Sequence, residues 1–354
     1  MGIVSIIVPT YNERDNVEEL IKRIHNSMEN IGQKYEVIIV DDNSPDGTAE
    51  KAEELSKTYR VKVLRRPGKL GLSSAVLDGL KLAEGDLIVV MDADLQHPPE
   101  VIPKLLEKVK ERCDIVIASR YVKGGSVEGW GFIRRLMSHG AGYIARLLLP
   151  SVRGIKDPMS GFFLFRKDVI KESKLNPRGF KILLEIVVRG KHAKVCEVPY
   201  RFGLRHRGVS KLGTGEIINY LIHVLNLSPH YVRFMIVGAS GTLVNLGILT
   251  LLHYAFGVMH EISSAVGIEA SVLSNFLLND IWTFREERKG SWLNRLLKFH
   301  VSTAAGIAVQ WLTSVGVYHL IIPNSIIAQI IGIILGFIVN YTLSKRYVWE
   351  IHKK

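Results

Sequence analysis

The stretch Leu87-Ile88-Val89-Val90-Met91-Asp92-Ala93-Asp94-Leu95-Gln96-His97-Pro98-Pro99 sets an unbroken apolar run against an acidic turn. A short apolar run closed by turn residues reads as a buried strand over 87–91. Two carboxylates at i and i+2, Asp92 and Asp94, then stand where the strand ends and are able to converge on one divalent cation. Mg²⁺ and Mn²⁺ prefer oxygen ligands and commonly share themselves with substrate phosphates. Gln96 offers a further amide oxygen to such an ion or its water. Asp-x-Asp is also a common turn sequence, so it is the position after a buried strand that points to chemistry. His97 has no second histidine at metal-ligand spacing and reads as a turn residue.

Working outward, the same pattern repeats. Residues 3–8 are a β-branched run stopped by Pro9 and followed by Thr10-Tyr11-Asn12-Glu13. A helix is expected over 15–31, capped by Asn12 or Asp15. Strands over 37–40, 61–64 and 115–118 alternate with helices over 49–59 and 73–83. Continuous apolar strands between helices predict an α/β fold, with a mostly parallel sheet covered on both faces. Ligands bind at the carboxyl ends of such strands, and there Tyr11, Glu13, Asp42, Asp92, Asp94 and Arg120 gather. Asp41 and Asp46 fall within Asp-Asn-Ser-Pro-Asp-Gly, which is turn chemistry. No Gly-x-Gly-x-x-Gly follows the first strand and no phosphate loop ends in Gly-Lys-Ser, which argues against a dehydrogenase or a phosphate-loop ATPase.

The formal charge of +12 asks for an anionic partner. Its Lys and Arg residues collect beside apolar stretches and around one loop, so no nucleic acid is expected. Cys113 and Cys196 suggest neither a disulfide framework nor a metal-ligand spacing, and a reducing compartment is the plain expectation.

Beyond about Asn226 the composition changes. Four apolar stretches, 232–257, 262–284, 298–322 and 325–345, are each long enough to cross a hydrocarbon layer of about 30 Å at about 1.5 Å per residue. Arg233-Phe234 matches Lys298-Phe299, Ala239 and Gly241 match Ala304 and Gly306, and Asn275-Phe276 matches Asn340-Tyr341, all at one interval, with Phe284 and Trp349 closing the units. Two copies of one helical hairpin are expected, inserted in the same orientation. The joints at 257–263 and 321–324 carry no Lys or Arg, whereas Arg285, Arg288, Lys289, Arg295 and Lys298 crowd the middle connection, and Lys345, Arg346, Lys353 and Lys354 end the chain. The positive-inside rule puts the N-terminal half, that connection and the C-terminus in the cytosol. Residues 215–227 and the surroundings of Trp292–Leu297 read as interfacial segments. Gly332 and Gly336 have the spacing of closely packed membrane helices. Glu269, Asn275, Asn279 and Asn340 read as interhelical hydrogen-bonders, with a lipid or proton path as the alternative. The domain boundaries read as 1–212, an interfacial amphipathic helix and linker over 213–230, and a membrane domain over 231–354.

Pro9-Thr10-Tyr11-Asn12-Glu13, Val40-Asp41-Asp42-Asn43-Ser44, Asp92-Ala93-Asp94-Leu95-Gln96 and Ser160-Gly161-Phe162 resemble the signature of family 2 glycosyltransferases with a GT-A fold. Met91 to Pro99, Gly179-Phe180-Lys181 and Arg205-x-Arg207-Gly208-x-Ser210-Lys211 are similar to dolichol-phosphate mannose synthases. The resemblance runs in order over residues 3–212, and the membrane half resembles the GtrA-like four-helix modules. It implies metal-dependent, inverting transfer of mannose from GDP-mannose to dolichyl (polyprenyl) phosphate. By the same resemblance Pro9, Tyr11, Glu13, Val40 and Asp42 cradle the nucleoside, while Asp92, Ala93, Asp94 and Gln96 hold Mg²⁺ or Mn²⁺ and the diphosphate. Arg120, Lys181, Arg205 and Lys211 surround the phosphates and sugar, with Asp92, Asp94 and Arg120 as the catalytic set. Gly203 and Gly208 suit a mobile loop that closes on a diphosphate. A membrane-facing loop is the other reading, above all for Arg207.

Transfer to a hydroxyl usually needs a general base. A phosphate monoester is already ionised and needs cations instead. Arg134 and Ser138 share a helical face at i and i+4 and, with Arg120, form the expected lipid-phosphate site, the alternative being a solvated or headgroup-contacting helix. The Gln-x-x-Arg-Trp of processive polysaccharide synthases is absent from the chain. No motif fixes base or epimer, so a UDP-glucose donor stays open. So does a lipid-sugar translocator with a lapsed N-terminal half, although Asp42, Asp92 and Asp94 speak against it.

Overall fold

Neighbouring residues of each central strand feed two different cores. In β1 (Val4–Thr10), Val4, Ile6 and Val8 join one buried cluster and Ile7 the other. After α1 (Arg14–Glu29), β2 (Tyr35–Asp41) divides likewise, Val37 and Ile39 to one side, Ile38 and Val40 to the other. Strands apolar on both faces must be covered on both, which is why the sheet is doubly layered. The computed structural model describes residues 2–176, 181–204, 214–285, 288 and 290–347.

The chain continues through α2 (Thr48–Leu55), β3 (Val61–Arg65), α3 (Leu72–Leu82), β4 (Leu87–Val90), α4 (Ile102–Lys110), β5 (Ile115–Ser119), the short β6 (Ser126–Val127) and α5 (Phe132–Leu148). Then come β7 (Phe163–Arg166), α6 (Ile182–Arg189), β8 (Val195–Pro199), β9 (Arg201–Phe202) and α7 (Thr214–Leu227). One sheet has the order β3-β2-β1-β4-β7-β5-β8, and β6 pairs with β9 separately. All pairs in the large sheet are parallel except those of β7, which is antiparallel to both β4 and β5. Helices α1 and α4 cover one face; α3, α6 and α7 cover the other.

Several expectations need correction. Helix α1 is preceded by Glu13, with no side-chain cap, so neither Asn12 nor Asp15 caps it. The cysteines form a disulfide, Cys113–Cys196, with Cα atoms 6.0 Å apart. Cys113 lies just before β5, and Cys196 sits on β8 opposite Val116, so the pairing is made by sheet register across 83 residues rather than by any local spacing. The helical spacing over 215–227 is met by α7, but its Tyr220, Val224 and Leu227 are buried in the second core. Its Ile218 nevertheless stays 57% exposed, so only one side of this apolar helix is covered.

The chain divides into two units, 1–228 and 229–354. In the second, α8 (His230–Thr250) pairs with α9 (His260–Leu278), and α10 (Trp292–Leu320) with α11 (Ser325–Tyr347). Helix α9 also packs on α10, and α11 on α8. The segment 292–297, read as a separate interfacial piece, runs on without a break into α10. The duplication is visible in the packing. A Cβ on Gly267 would lie 2.8 Å from the Asn245 carbonyl, and one on Gly332 2.5 Å from the Gln310 carbonyl, so the same tight crossing is built twice. His260 Nδ1 bonds Ser325 Oγ at 2.8 Å, and these residues are 65 positions apart. Glu269 bonds His300 at 3.0 Å, joining α9 to α10 as expected. A Cβ on Gly336 would lie 2.8 Å from the Gly306 carbonyl. Among the cations of the middle connection, Arg295 makes a two-pronged bond to Asp280 at 2.7 and 3.1 Å, and Arg288 bonds the Asp280 carbonyl at 2.7 Å. Among the described residues one helical stretch, His230–Ala255, is long and apolar enough by itself to cross a membrane.

Candidate active site

Five adjacent strands, β2-β1-β4-β7-β5, bring their functional residues to one edge of the sheet. Asp42 follows β2, Tyr11 follows β1, Asp92 follows β4, Gly161 precedes β7 and Arg120 follows β5. Because β7 runs in reverse, its beginning rather than its end reaches this edge. Pro9 and Val40 are direct partners across β1 and β2.

At the β2 end, Asp42 is 5% exposed and receives Arg66 Nη1 on Oδ1 and the Gly71 N–H on Oδ2 at 2.9 Å. Arg66 also meets Asp78 at 3.1 Å and Ser74 at 2.8 Å. A buried carboxylate held this way has a fixed direction. The Lys69 ammonium lies 4.4 Å from the centre of the Tyr11 ring. Glu13 receives Asn16 Nδ2 at 2.6 Å and donates its own N–H to Thr48. Asp41 and Asp46 accept bonds from Ser44 and Thr48 respectively, as their turn setting implies.

The Asp92 turn is shaped from inside. His97 is buried, stacks on Phe162 at 5.4 Å, and its Nδ1 accepts the Asp92 N–H at 3.0 Å. Burial lowers the His97 pKa to about 4, so the ring is neutral and free to accept. The histidine read as a turn residue is thus the peg around which the turn folds. A Cβ on Gly161 would come within 3.1 Å of His97 Cε1 and 3.3 Å of Asp92 Oδ2, which explains the glycine of Ser160-Gly161-Phe162. Asp92 is 38% exposed at its side chain. Asp94 is 4% exposed and accepts the Gln96 N–H at 3.1 Å. Gln96 in turn gives Nε2 to the Gly203 carbonyl at 3.0 Å, and its backbone carbonyl accepts the Gly203 N–H, which ties the acidic turn to the end of β9.

At the β5 end, Arg120 is clasped by the wholly buried Asp157, with bonds of 2.8 and 2.7 Å from the guanidinium and 2.9 Å from its own N–H. Burial works against the Arg120 charge, but Asp157 outweighs it and keeps the group protonated above its ordinary range. Asp157 is itself set by Glu197, which accepts its N–H at 2.9 Å. Trp130 has Arg120 at 5.3 Å and Arg134 at 4.5 Å from its ring centre. Ser138 Oγ and the Tyr121 hydroxyl are 2.8 Å apart. Arg120, Arg134 and Ser138 are therefore joined through two aromatic rings. Tyr121, Trp130 and Arg120 line a cavity of about 270 Å³ together with Arg135 and His139. Lys181 donates to the Met159 carbonyl at 2.8 Å, and desolvation together with Arg120 lowers its pKa to about 8. Arg205 and Lys211 lie outside the described residues.

Asp92 and Asp94, two residues apart in one turn, carry the hard oxygen donors that Mg²⁺ or Mn²⁺ prefers. Among the described residues no group of three His, Cys, Asp or Glu side chains gathers to hold a metal.

Arg66, Asp157, Lys69 and Trp130 escaped the sequence reading. Arg66 directly follows β3, a strand-end position like that of Asp42, but that strand is only partly buried and carries Lys62 and Arg65. Asp157 carries no local signal, because its partner is 37 residues away.

Two family models match the chain: glycosyl transferase family 2 over residues 5–173, and the GtrA/DPMS transmembrane domain over residues 233–349. A dolichol-phosphate mannosyltransferase of Pyrococcus furiosus is 51% identical, over 98% of this chain and 99% of that one. The dolichol-phosphate mannosyltransferase of Saccharomyces cerevisiae is 40% identical over 61% of this chain and 84% of its own. Among solved structures, the glucosyl-3-phosphoglycerate synthase of Mycobacterium tuberculosis aligns with a TM-score of 0.49 at 20% identity, covering 64% of this chain and 78% of that one.

Proposed function

The chain belongs to glycosyl transferase family 2, among the dolichol-phosphate mannosyltransferases that carry a GtrA/DPMS transmembrane domain, and from this we propose that it transfers mannose from GDP-mannose to dolichyl or another polyprenyl phosphate. It is a glycosyltransferase and a membrane protein. The observation that carries the substrate reading is the Asp92-Ala93-Asp94 turn, pegged by His97 and bared by Gly161 at the same edge as Asp42 and Arg120.

In this reading Pro9, Tyr11, Glu13, Val40 and Asp42 bind the nucleoside, and Arg66 fixes the Asp42 carboxylate. Asp92 and Asp94, with Ala93 and Gln96, hold Mg²⁺ or Mn²⁺. When bound, the ion neutralises charge on the departing diphosphate. Lys181, Arg205 and Lys211 add positive charge around the same phosphates. Arg134 and Ser138, with Arg120 oriented by Asp157, hold the acceptor phosphate. A phosphate monoester loses its second proton near pH 6, so no general base is required. Its oxygen attacks the sugar's anomeric carbon from the face opposite the diphosphate, the old carbon–oxygen bond breaks, and an α-linked donor yields a β-linked product. Helices α8 to α11 are read as four crossings, with the enzymatic unit on the cytosolic side. The Lys and Arg residues of the middle connection, against none at 257–263 and 321–324, support that orientation.

The test uses the purified full chain with labelled GDP-mannose or UDP-glucose, Mg²⁺, Mn²⁺ or chelator, and dolichyl phosphate. Labelled lipid from GDP-mannose alone, abolished by chelator and in the Asp92→Asn/Asp94→Asn variant, is expected. Product from UDP-glucose alone would change the sugar, and no product from either would favour the translocator. An undiminished rate in the double variant would overturn the site.

A further inference from the structure

Behind the Tyr121 ring lies a second cavity, of about 390 Å³, that the transfer reaction does not use. Its walls carry His139, Arg146, Arg153 and Lys156, and none of its lining residues is acidic. Several other arginines of this unit are matched with carboxylates: Arg23 with Glu100, Arg65 with Glu50 and Glu53, Arg66 with Asp42, Arg120 with Asp157, and Arg189 with Glu185. Arg146, Arg153 and Lys156 form no ion pair among the described residues. The carboxylate nearest in the bonding network, Glu197, is occupied by the N–H groups of Lys156 and Asp157, both at 2.9 Å.

The geometry is built rather than incidental. Arg146 Nη1 donates to the carbonyls of Lys156 at 3.1 Å and Ile155 at 3.5 Å, which fixes the guanidinium against the 153–156 turn. The Tyr121 and His139 rings, 4.5 Å apart, line both this cavity and the smaller one containing Arg120. Like charges held in one concave wall repel and concentrate counter-charge there. A planar guanidinium beside an ammonium suits the oxygens of a phosphate group.

The helix that supplies His139 and Arg146 also suggests how such a phosphate would arrive. On α5, Phe132, Ile133, Leu136 and Leu147 are 79%, 73%, 61% and 58% exposed. Apolar residues at this spacing beside a cationic pocket match a molecule with a phosphate head and hydrocarbon tails.

We propose that the cavity bounded by His139, Arg146, Arg153 and Lys156 is a second phosphate-ester site, adjacent to the acceptor site and separate from it. Its ligand chemistry is a phosphate group, borne either by an anionic lipid headgroup or by free phosphate. Occupancy would neutralise the uncompensated cluster and hold α5, with Arg134 and Ser138, against the 153–156 turn.

The experiment measures binding to the purified full chain in neutral detergent, using short-chain dihexanoyl phosphatidic acid, dihexanoyl phosphatidylcholine and inorganic phosphate as probes. Arg153→Gln/Lys156→Gln is compared with Arg134→Ala, and GDP-mannose binding checks folding. Phosphatidic acid is expected to bind saturably, to weaken about tenfold or more in the Arg153→Gln/Lys156→Gln variant, and to persist in Arg134→Ala. Binding of phosphatidic acid but not inorganic phosphate identifies a lipid headgroup, and equal competition by inorganic phosphate identifies the free ion; either supports the site. Wild-type affinity in the Arg153→Gln/Lys156→Gln variant, loss only in Arg134→Ala, or equal binding of phosphatidylcholine would overturn it.

Discussion

Ser264 Oγ donates to Gln329 Oε1 at 2.7 Å, and the two residues are 65 positions apart, the interval that relates the two helical hairpins. A residue that touches its own counterpart sits at a pseudo-two-fold axis. His260 and Ser325 do the same. Gln329 also accepts from Ser314 at 2.5 Å and donates to Asn245 at 2.6 Å, so one amide satisfies polar groups from three helices.

Replacing Gln329 by Leu removes that hub and leaves Ser264, Ser314 and Asn245 to find other partners. A loss of about 1–3 kcal/mol is expected. Thermal unfolding in detergent should show a lowered midpoint for the helical unit, with Ser264→Ala losing less and GDP-mannose binding intact. An unchanged midpoint would show that the axis contacts add nothing.

Asp157 makes a second case. Asp157→Ala strands the buried Arg120 charge, at a cost of about 3–5 kcal/mol. Arg120→Leu/Asp157→Leu should recover most of that stability without recovering activity. Comparing unfolding with acceptor kinetics in both variants separates the scaffold from the chemistry. Activity in the double-leucine variant would remove Arg120 from the mechanism.

Gly161→Ala tests the bared turn. The new methyl must displace His97 or Asp92 by a few tenths of an ångström. The concentration of Mn²⁺ giving half-maximal rate should rise about tenfold, with acceptor affinity kept. Titrating metal at saturating substrates checks this, and a wild-type metal curve would exclude the predicted displacement.

Lys181 gives the pH dependence its sign. Its pKa is lowered from 10.5 to about 8, so the charge a diphosphate seeks is present below that value and is lost above it. Binding an anion favours the protonated form, so donor affinity should fall by up to about tenfold per unit as pH rises past 8. Equilibrium binding of GDP-mannose across that range checks it, and Lys181→Arg should flatten the curve.

Reduction of Cys113–Cys196 removes the clasp between β5 and β8. A stability loss of about 2–4 kcal/mol is expected, with the catalytic edge left intact. Thermal unfolding with and without reductant, beside Cys113→Ser, reads it directly.

These cases also show which parts of the molecule were legible beforehand. Strands β1, β2, β4 and β5 announce themselves because a strand buried on both faces must be continuously apolar, and that places Asp42, Asp92 and Arg120. The hairpin repeat was equally readable, since equal contacts ask for equal residues, as at Gly267 and Gly332. Strand β7 was not, because Phe163–Arg166 is four residues long and nothing local tells a strand which way its neighbours run. Arg120 was legible but its clasp was not, and the cysteine pair was misread for the same reason. Both depend on residues that only tertiary structure makes neighbours.

Strand β7 enters between β4 and β5 against their direction, so the chain departs from one rim of the sheet after Ser119 and rejoins that rim at Phe163. The intervening span, which holds Trp130, Arg134 and Ser138, is a cassette with both stems on the same border. Changes at its outer part, around Arg134 and Ser138, leave untouched the strand alignment that supports Asp92. With Arg134 and Ser138 assigned to the acceptor as proposed, the recipient of the sugar can change while the donor end stays as it is.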